Sequence, residues 1–117
     1  MNIEAFRNYC LSKKGVTEEF PFGEETLVYK VMGKMFALTG VENFTSINLK
    51  VDPENAVEQR DAYPAVQPGY HMNKKHWNTV LIDGSLPDKL IRQWIDDSYQ
   101  LVVAKLTKSD KITLESL

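Results

Sequence analysis

The sequence predicts an α+β two-layer sandwich: an antiparallel sheet of about five strands with N- and C-terminal helices packed on one face. Three observations carry this. Apolar residues recur at helical spacing at both ends, over residues 2–13 and 86–105. Between them, runs with a two-residue apolar alternation are separated by Gly, Pro and Asp turn residues. No repeat, low-complexity run or linker interrupts residues 1–106, so the 117 residues hold one domain, followed by a polar tail over 107–117. Helices that flank a run of strands must bury their apolar stripes on one face of the resulting sheet.

Taken in order, Asn2 is suited to cap a helix over 2–13, whose apolar face is Ile3, Phe6, Tyr9 and Cys10. Gly15, after Lys13 and Lys14, marks its end. Residues 16–26 read as a polar loop pinned to the core by Phe20 and Phe22. A three-stranded meander follows: 27–32, a two-residue turn at Gly33-Lys34, then 35–38 and 46–51, the last with Ile47, Leu49 and Val51 inward. Asp52-Pro53 opens a short helix, with Ala56, Val57 and Tyr63 toward the core and Pro64 as its stop. Strand pieces near Val66 and over 77–82 precede the Asp83-Gly84 turn. Ser85 and Asp88 approximate a capping box for the last helix, whose stripe is Leu90, Ile91, Trp94, Ile95, Leu101 and Val102.

Composition narrows the functional classes. The apolar share of 43% is that of an ordered globular domain. A single cysteine, Cys10, forbids an internal disulfide and reads as a small buried hydrophobe in a reducing compartment. The chain shows neither a membrane-length apolar run nor the basic and apolar regions of a signal peptide, which predicts a cytoplasmic protein without membrane contact. Net charge is −2, from 14 Lys and Arg against 16 Asp and Glu, so a nucleic-acid interface must come from local clustering. Such clustering exists. Residues 30–51 hold Lys30, Lys34 and Lys50 against Glu42, and residues 62–82 hold Lys74, Lys75, His71 and His76 with no acid.

Catalytic patterns are missing. The six glycines are isolated, so phosphate-loop and dinucleotide patterns fail, and no serine lies in a nucleophile elbow. One Cys and two His do not make a zinc pattern. Glu24-Glu25 and Asp96-Asp97 are neighbours in sequence that point apart and read as solvated. The sequence thus predicts no enzyme, no metal and no cofactor. The densest chemistry is Gly69-Tyr70-His71-Met72-Asn73-Lys74-Lys75-His76-Trp77-Asn78, where cations and aromatics interleave. Lysines there suit phosphates, and Tyr70, His71 and Trp77 suit base stacking or the wall of a pocket. Equally, Tyr70 and Trp77 would anchor the loop in the core while the lysines face water.

Several of these segments resemble the MmcQ/YjbR family. They are Pro21-Phe22-Gly23, the run from Val28 to Leu38, Ile47-Asn48-Leu49-Lys50-Val51-Asp52-Pro53, the run from Pro68 to Val80 with His76-Trp77, and the run from Ile95 to Val102 with Ser98-Tyr99. The resemblance covers about residues 4–105. It implies a CyaY-like fold, grouped with the secretion-chaperone-like folds, and DNA binding through two β-hairpin wings. Carried onto this chain, the first wing would hold Lys30 and Lys34, the second Lys74, Lys75 and His76, with Lys50 in support. The chain departs from a strong duplex binder in its acidity, so the expectation is weak, salt-dependent DNA binding by a monomer. The chaperone-like fold leaves a protein or peptide partner as the alternative, and the Tyr/His/Trp cluster a small-molecule pocket.

Overall fold

The computed structural model describes residues 1–117. Its elements are α1 (Ile3–Leu11), β1 (Val16–Glu19), β2 (Thr26–Val31), β3 (Lys34–Gly40), β4 (Ser46–Lys50), α2 (Pro53–Ala62), β5 (Val66–Pro68), β6 (Trp77–Leu81), α3 (Asp88–Ala104) and α4 (Lys108–Glu115). The strands form one open antiparallel sheet in the order β1-β2-β3-β4-β6-β5. None of the helices is long and apolar enough to cross a membrane.

Local chemistry fixes most element ends. The Asn2 side chain accepts from the Ala5 N–H at 2.8 Å and starts α1. Asp52 does the same for the Glu54 N–H at 3.0 Å, ahead of Pro53 at the first position of α2. The β2–β3 turn falls one residue earlier than the sequence suggested. Met32 and Gly33 are its central residues, with φ of 50° and 80°. Two successive left-handed residues match the twist of a tight hairpin, and Val31 pairs directly with Lys34. Lys34 is therefore the first residue of β3 rather than part of the turn.

Four further expectations are corrected. The sheet has six strands, because residues 16–19 pair with β2 as an edge strand. Val16 is its one apolar residue, and an edge strand with one wet side needs no alternating pattern. Phe20 and Phe22 are exposed rather than pinned into the core, and so is Val57. The N-cap of α3 is Pro87, which has no side chain able to cap. Ser85 bonds the Asp83 carboxylate instead, and Asp88 meets the Met1 ammonium at 2.8 Å. Finally, residues 108–115 are helical rather than a frayed tail. Thr107 caps them through the Asp110 N–H, and Leu106 and Leu114 enter the main core. Two apolar anchors eight residues apart leave too sparse a stripe to read as a helix.

The helices lie on one side of the sheet. Leu27, Tyr29, Val31, Ala37, Ile47, Leu49 and Val80 point toward them and join Phe6, Ile91, Trp94, Ile95 and Tyr99 in the main core. Phe6 meets Tyr29 edge to face, with ring centroids 5.5 Å apart. On the other side only a small cluster forms, of Val28, Leu38 and Trp77 under Met35 and Met72.

One irregularity ties the layers together. Tyr29 pairs with Ala37 but Lys30 with Met35, so Phe36 is an extra residue in β3. Its carbonyl does not join the β3–β4 ladder, whose paired residues begin at Ala37↔Leu49. Ser98, fully buried on α3, fills the gap: its hydroxyl donates to the Phe36 carbonyl at 2.5 Å and accepts the Lys50 N–H at 2.9 Å. Its neighbour Tyr99 donates to the Lys14 carbonyl at 2.6 Å, holding the turn after α1.

Candidate functional site

Strand alternation sets out the helix-free face as rows of side chains. Lys30, Met35, Lys50 and Trp77 form one row, Val28, Leu38, Asn48 and Thr79 the next, and Thr26, Gly40, Ser46 and Leu81 the last. The first row lies at the β2–β3 turn. The segment between β5 and β6, residues 69–76, returns over this face, so Lys74, Lys75 and His76 sit beside that same end.

The sequence-predicted cations thus come together, but in different states. Lys34 and Lys75 are exposed. Lys30 Nζ pairs with Glu19 Oε1 at 3.2 Å. Lys74 Nζ donates to the Gly69 carbonyl at 3.0 Å. Lys50 is half-buried with its Nζ 5.9 Å from the Trp77 ring centroid. Burial, with a smaller contribution from the Lys105 charge, pushes its pKa below the ordinary lysine value. His76 is half-buried and lines a crevice of about 80 Å³ with Lys50, Asp52, Leu101 and Lys105. Lys105 adds a cation to this end that the sequence did not single out.

The aromatic residues divide. Trp77 is buried under the sheet-face cluster and supports the site from within. Tyr70 is 70% exposed, with its ring tilted 54° against that of His71 and centroids 4.1 Å apart. His71 holds a left-handed backbone with φ of 58°, a conformation histidine tolerates better than most residues. With Phe22, 63% exposed on the β1–β2 loop, Tyr70, His71 and Met72 wall a groove of about 410 Å³. Its floor is Thr26, Leu38, Thr39, Gly40, Ser46 and Asn48. Phe22 was missed as a site residue because an isolated Phe in a polar loop reads as a core anchor. His71 and His76 are not part of any cluster of three metal-ligating side chains.

Two residues hold the 69–76 segment in place. Gly69 is buried, and a β-carbon there would lie 2.9 Å from Trp77 Cβ and 3.0 Å from the Trp77 carbonyl oxygen. Only glycine fits such an approach. Arg60 on α2 is the second. Its Nε donates to Asn78 Oδ1 at 2.7 Å and its Nη2 to the Trp77 carbonyl at 3.3 Å and the Lys74 carbonyl. Asn78 is buried and also donates to Gln59 Oε1. Arg60→Ala is expected to cost about 1–3 kcal/mol through the orphaned Asn78 oxygen and to speed amide exchange across residues 70–76. Hydrogen exchange alongside urea unfolding checks this, and unchanged exchange there would remove Arg60 from this role.

The YjbR family model matches residues 11–101. The protein YjbR of Escherichia coli (strain K12), named as uncharacterised, is 36% identical over 118 residues, spanning 100% of both chains. The protein YbdF of Escherichia coli O157:H7, also named as uncharacterised, is 43% identical over 93 residues, 79% of this chain and 76% of its own. A crystal structure of a Deinococcus radiodurans protein, described as a DUF419 domain, superposes with a TM-score of 0.91 at 41% identity, covering 97% of this chain and 88% of that one.

Proposed function

This chain belongs to the YjbR family, and on that footing we propose that it is a non-enzymatic DNA-binding module that grips phosphates with the cationic end of its sheet, at the β2–β3 turn. The observation that carries this is segregation of charge. Lys30 and Lys50 lie on the helix-free face at the β2–β3 turn, Lys74 and Lys75 sit on the segment that returns over it, and Lys34, paired with Val31, and His76, beside Leu101 and Lys105, flank the same end of the sheet toward the helices. The four helices hold nine acids (Glu4, Glu54, Glu58, Asp61, Asp88, Asp96, Asp97, Asp110, Glu115) and six bases (Arg7, Arg60, Lys89, Arg92, Lys108, Lys111), hence 6 − 9 = −3. A net charge of −2 therefore conceals an acidic helix layer behind a basic sheet end.

The grip is light. Lys30 is shared with Glu19 and Lys74 is engaged by the Gly69 carbonyl. Of the lysines that the sequence singled out, that leaves Lys34, Lys50 and Lys75 without an ion pair or side-chain hydrogen bond. Three phosphate contacts give a log–log salt slope of about −2.7, so affinity is expected to fall roughly 40-fold between 50 and 200 mM salt. Fluorescence anisotropy of labelled DNA at those two salt concentrations measures it. A flat salt dependence would sink the reading.

A further inference from the structure

We infer that the groove between Phe22 and the Tyr70–Met72 segment is a nucleobase site, filled by an unpaired base of the strand whose phosphates the lysines hold. This rests on the DNA-binding reading and adds to it the form of nucleic acid bound.

The walls supply the first argument. Phe22 and Tyr70 leave 63% and 70% of their surfaces in water on opposite sides of one groove. Two exposed aromatic rings flanking a concave surface can take a flat ring against either of them. The floor supplies the second. Asn48 Oδ1 accepts from Thr79 Oγ1 at 2.6 Å, which fixes the amide and leaves Nδ2 without a partner in the chain. The Ser46 and Thr26 hydroxyls line the same floor. An amide donor and two hydroxyls match the carbonyl and ring-nitrogen edge of a base.

Charge decides between a base and other flat ligands. Lys50 lies two residues along the same strand face from Asn48, about 7 Å, and Lys30 two residues from Val28. Glu24, Glu25 and Glu42 occupy the loops at the opposite end of the groove. The groove therefore favours a neutral planar group joined, on the lysine side only, to an anion. A nucleotide within a strand has this polarity. A paired base does not reach the groove, since its edge is taken by its partner and its faces by the stack.

The test uses a single-stranded oligonucleotide carrying one 2-aminopurine, the duplex of equal length, and the full chain with Tyr70→Ala, Tyr70→Phe and Phe22→Ala. Single strands should bind more tightly than the duplex, with quenched 2-aminopurine emission. Tyr70→Ala and Phe22→Ala should each weaken single-strand binding roughly 5- to 150-fold, the range for one lost stacking partner. Tyr70→Phe keeps the ring and should bind like the parent. Salt-dependent binding that is equal for both forms and indifferent to Tyr70→Ala would overturn the base site and leave the phosphate reading standing. Absence of binding to either form at low salt would overturn both.

Discussion

Ser98→Ala is expected to lower the free energy of unfolding by about 2–4 kcal/mol, from two backbone groups at roughly 1–3 kcal/mol each with some relaxation. The hydroxyl serves the Phe36 carbonyl and the Lys50 N–H together, at the point where the bulge interrupts the β3–β4 ladder. Alanine is smaller and apolar, and it leaves both groups buried without a partner. The residue is fully buried, so water does not replace the hydroxyl without opening the α3–sheet contact. Urea unfolding should show a lower midpoint with an unchanged m-value. A change below about 0.5 kcal/mol, the scatter of an ordinary surface substitution, would mean that the strands re-pair without the serine.

Lys34→Glu/Lys75→Glu is expected to weaken DNA binding about 200-fold at 50 mM salt. Each lost contact is worth roughly 15-fold there, from 0.9 log unit of affinity per log unit of salt below 1 M. The salt slope should fall by about two. These two lysines are chosen because both are exposed and neither makes an ion pair or a side-chain hydrogen bond. Lys74 is less clean, since its ammonium also secures the Gly69 carbonyl, and Lys30 is partly neutralised by Glu19. The stability of the variant should stay within about 0.5 kcal/mol of the parent. Unchanged DNA affinity would place any nucleic-acid contact elsewhere.

The fold was legible where burial and local chemistry agree. Alternation at Ile47, Leu49 and Val51 and the stripe of α3 each need one face dry, and the pattern says which. It was illegible where a residue answers to tertiary contacts. Val16–Glu19 is a strand because β2 offers it an edge, and Glu18 settles there by accepting from Arg7 Nε at 2.7 Å and Tyr29 OH at 2.9 Å. The hydrogen bond from Arg7, with the one from Tyr29, holds the Glu18 carboxyl below its usual pKa. Of the site's lysines, Lys50 was visible as an outward position on its strand, while Lys34 read as part of a turn and Lys74 and Lys75 as part of a loop. Their gathering at one end was not visible, because it depends on β6 inserting beside β4 and on residues 69–76 folding back. Arg60, Lys105 and Phe22 carried no local signal, since each acts through a neighbour distant in the chain.

The placement of α3 has a consequence for how the chain folds. The β1–β4 meander pairs neighbours in sequence, and such ladders close over short loops. Yet Leu27, Tyr29, Ile47 and Leu49 share one core with Ile91, Trp94, Ile95 and Tyr99 of α3. On a ribosome those residues emerge after every strand. Until then the growing chain displays an apolar sheet face together with an unfilled gap beside Phe36, which Ser98 closes from the same helix. Synthesis of residues 88–104 is thus the step expected to commit the domain, and the interval before it is when a chaperone would have most to shield.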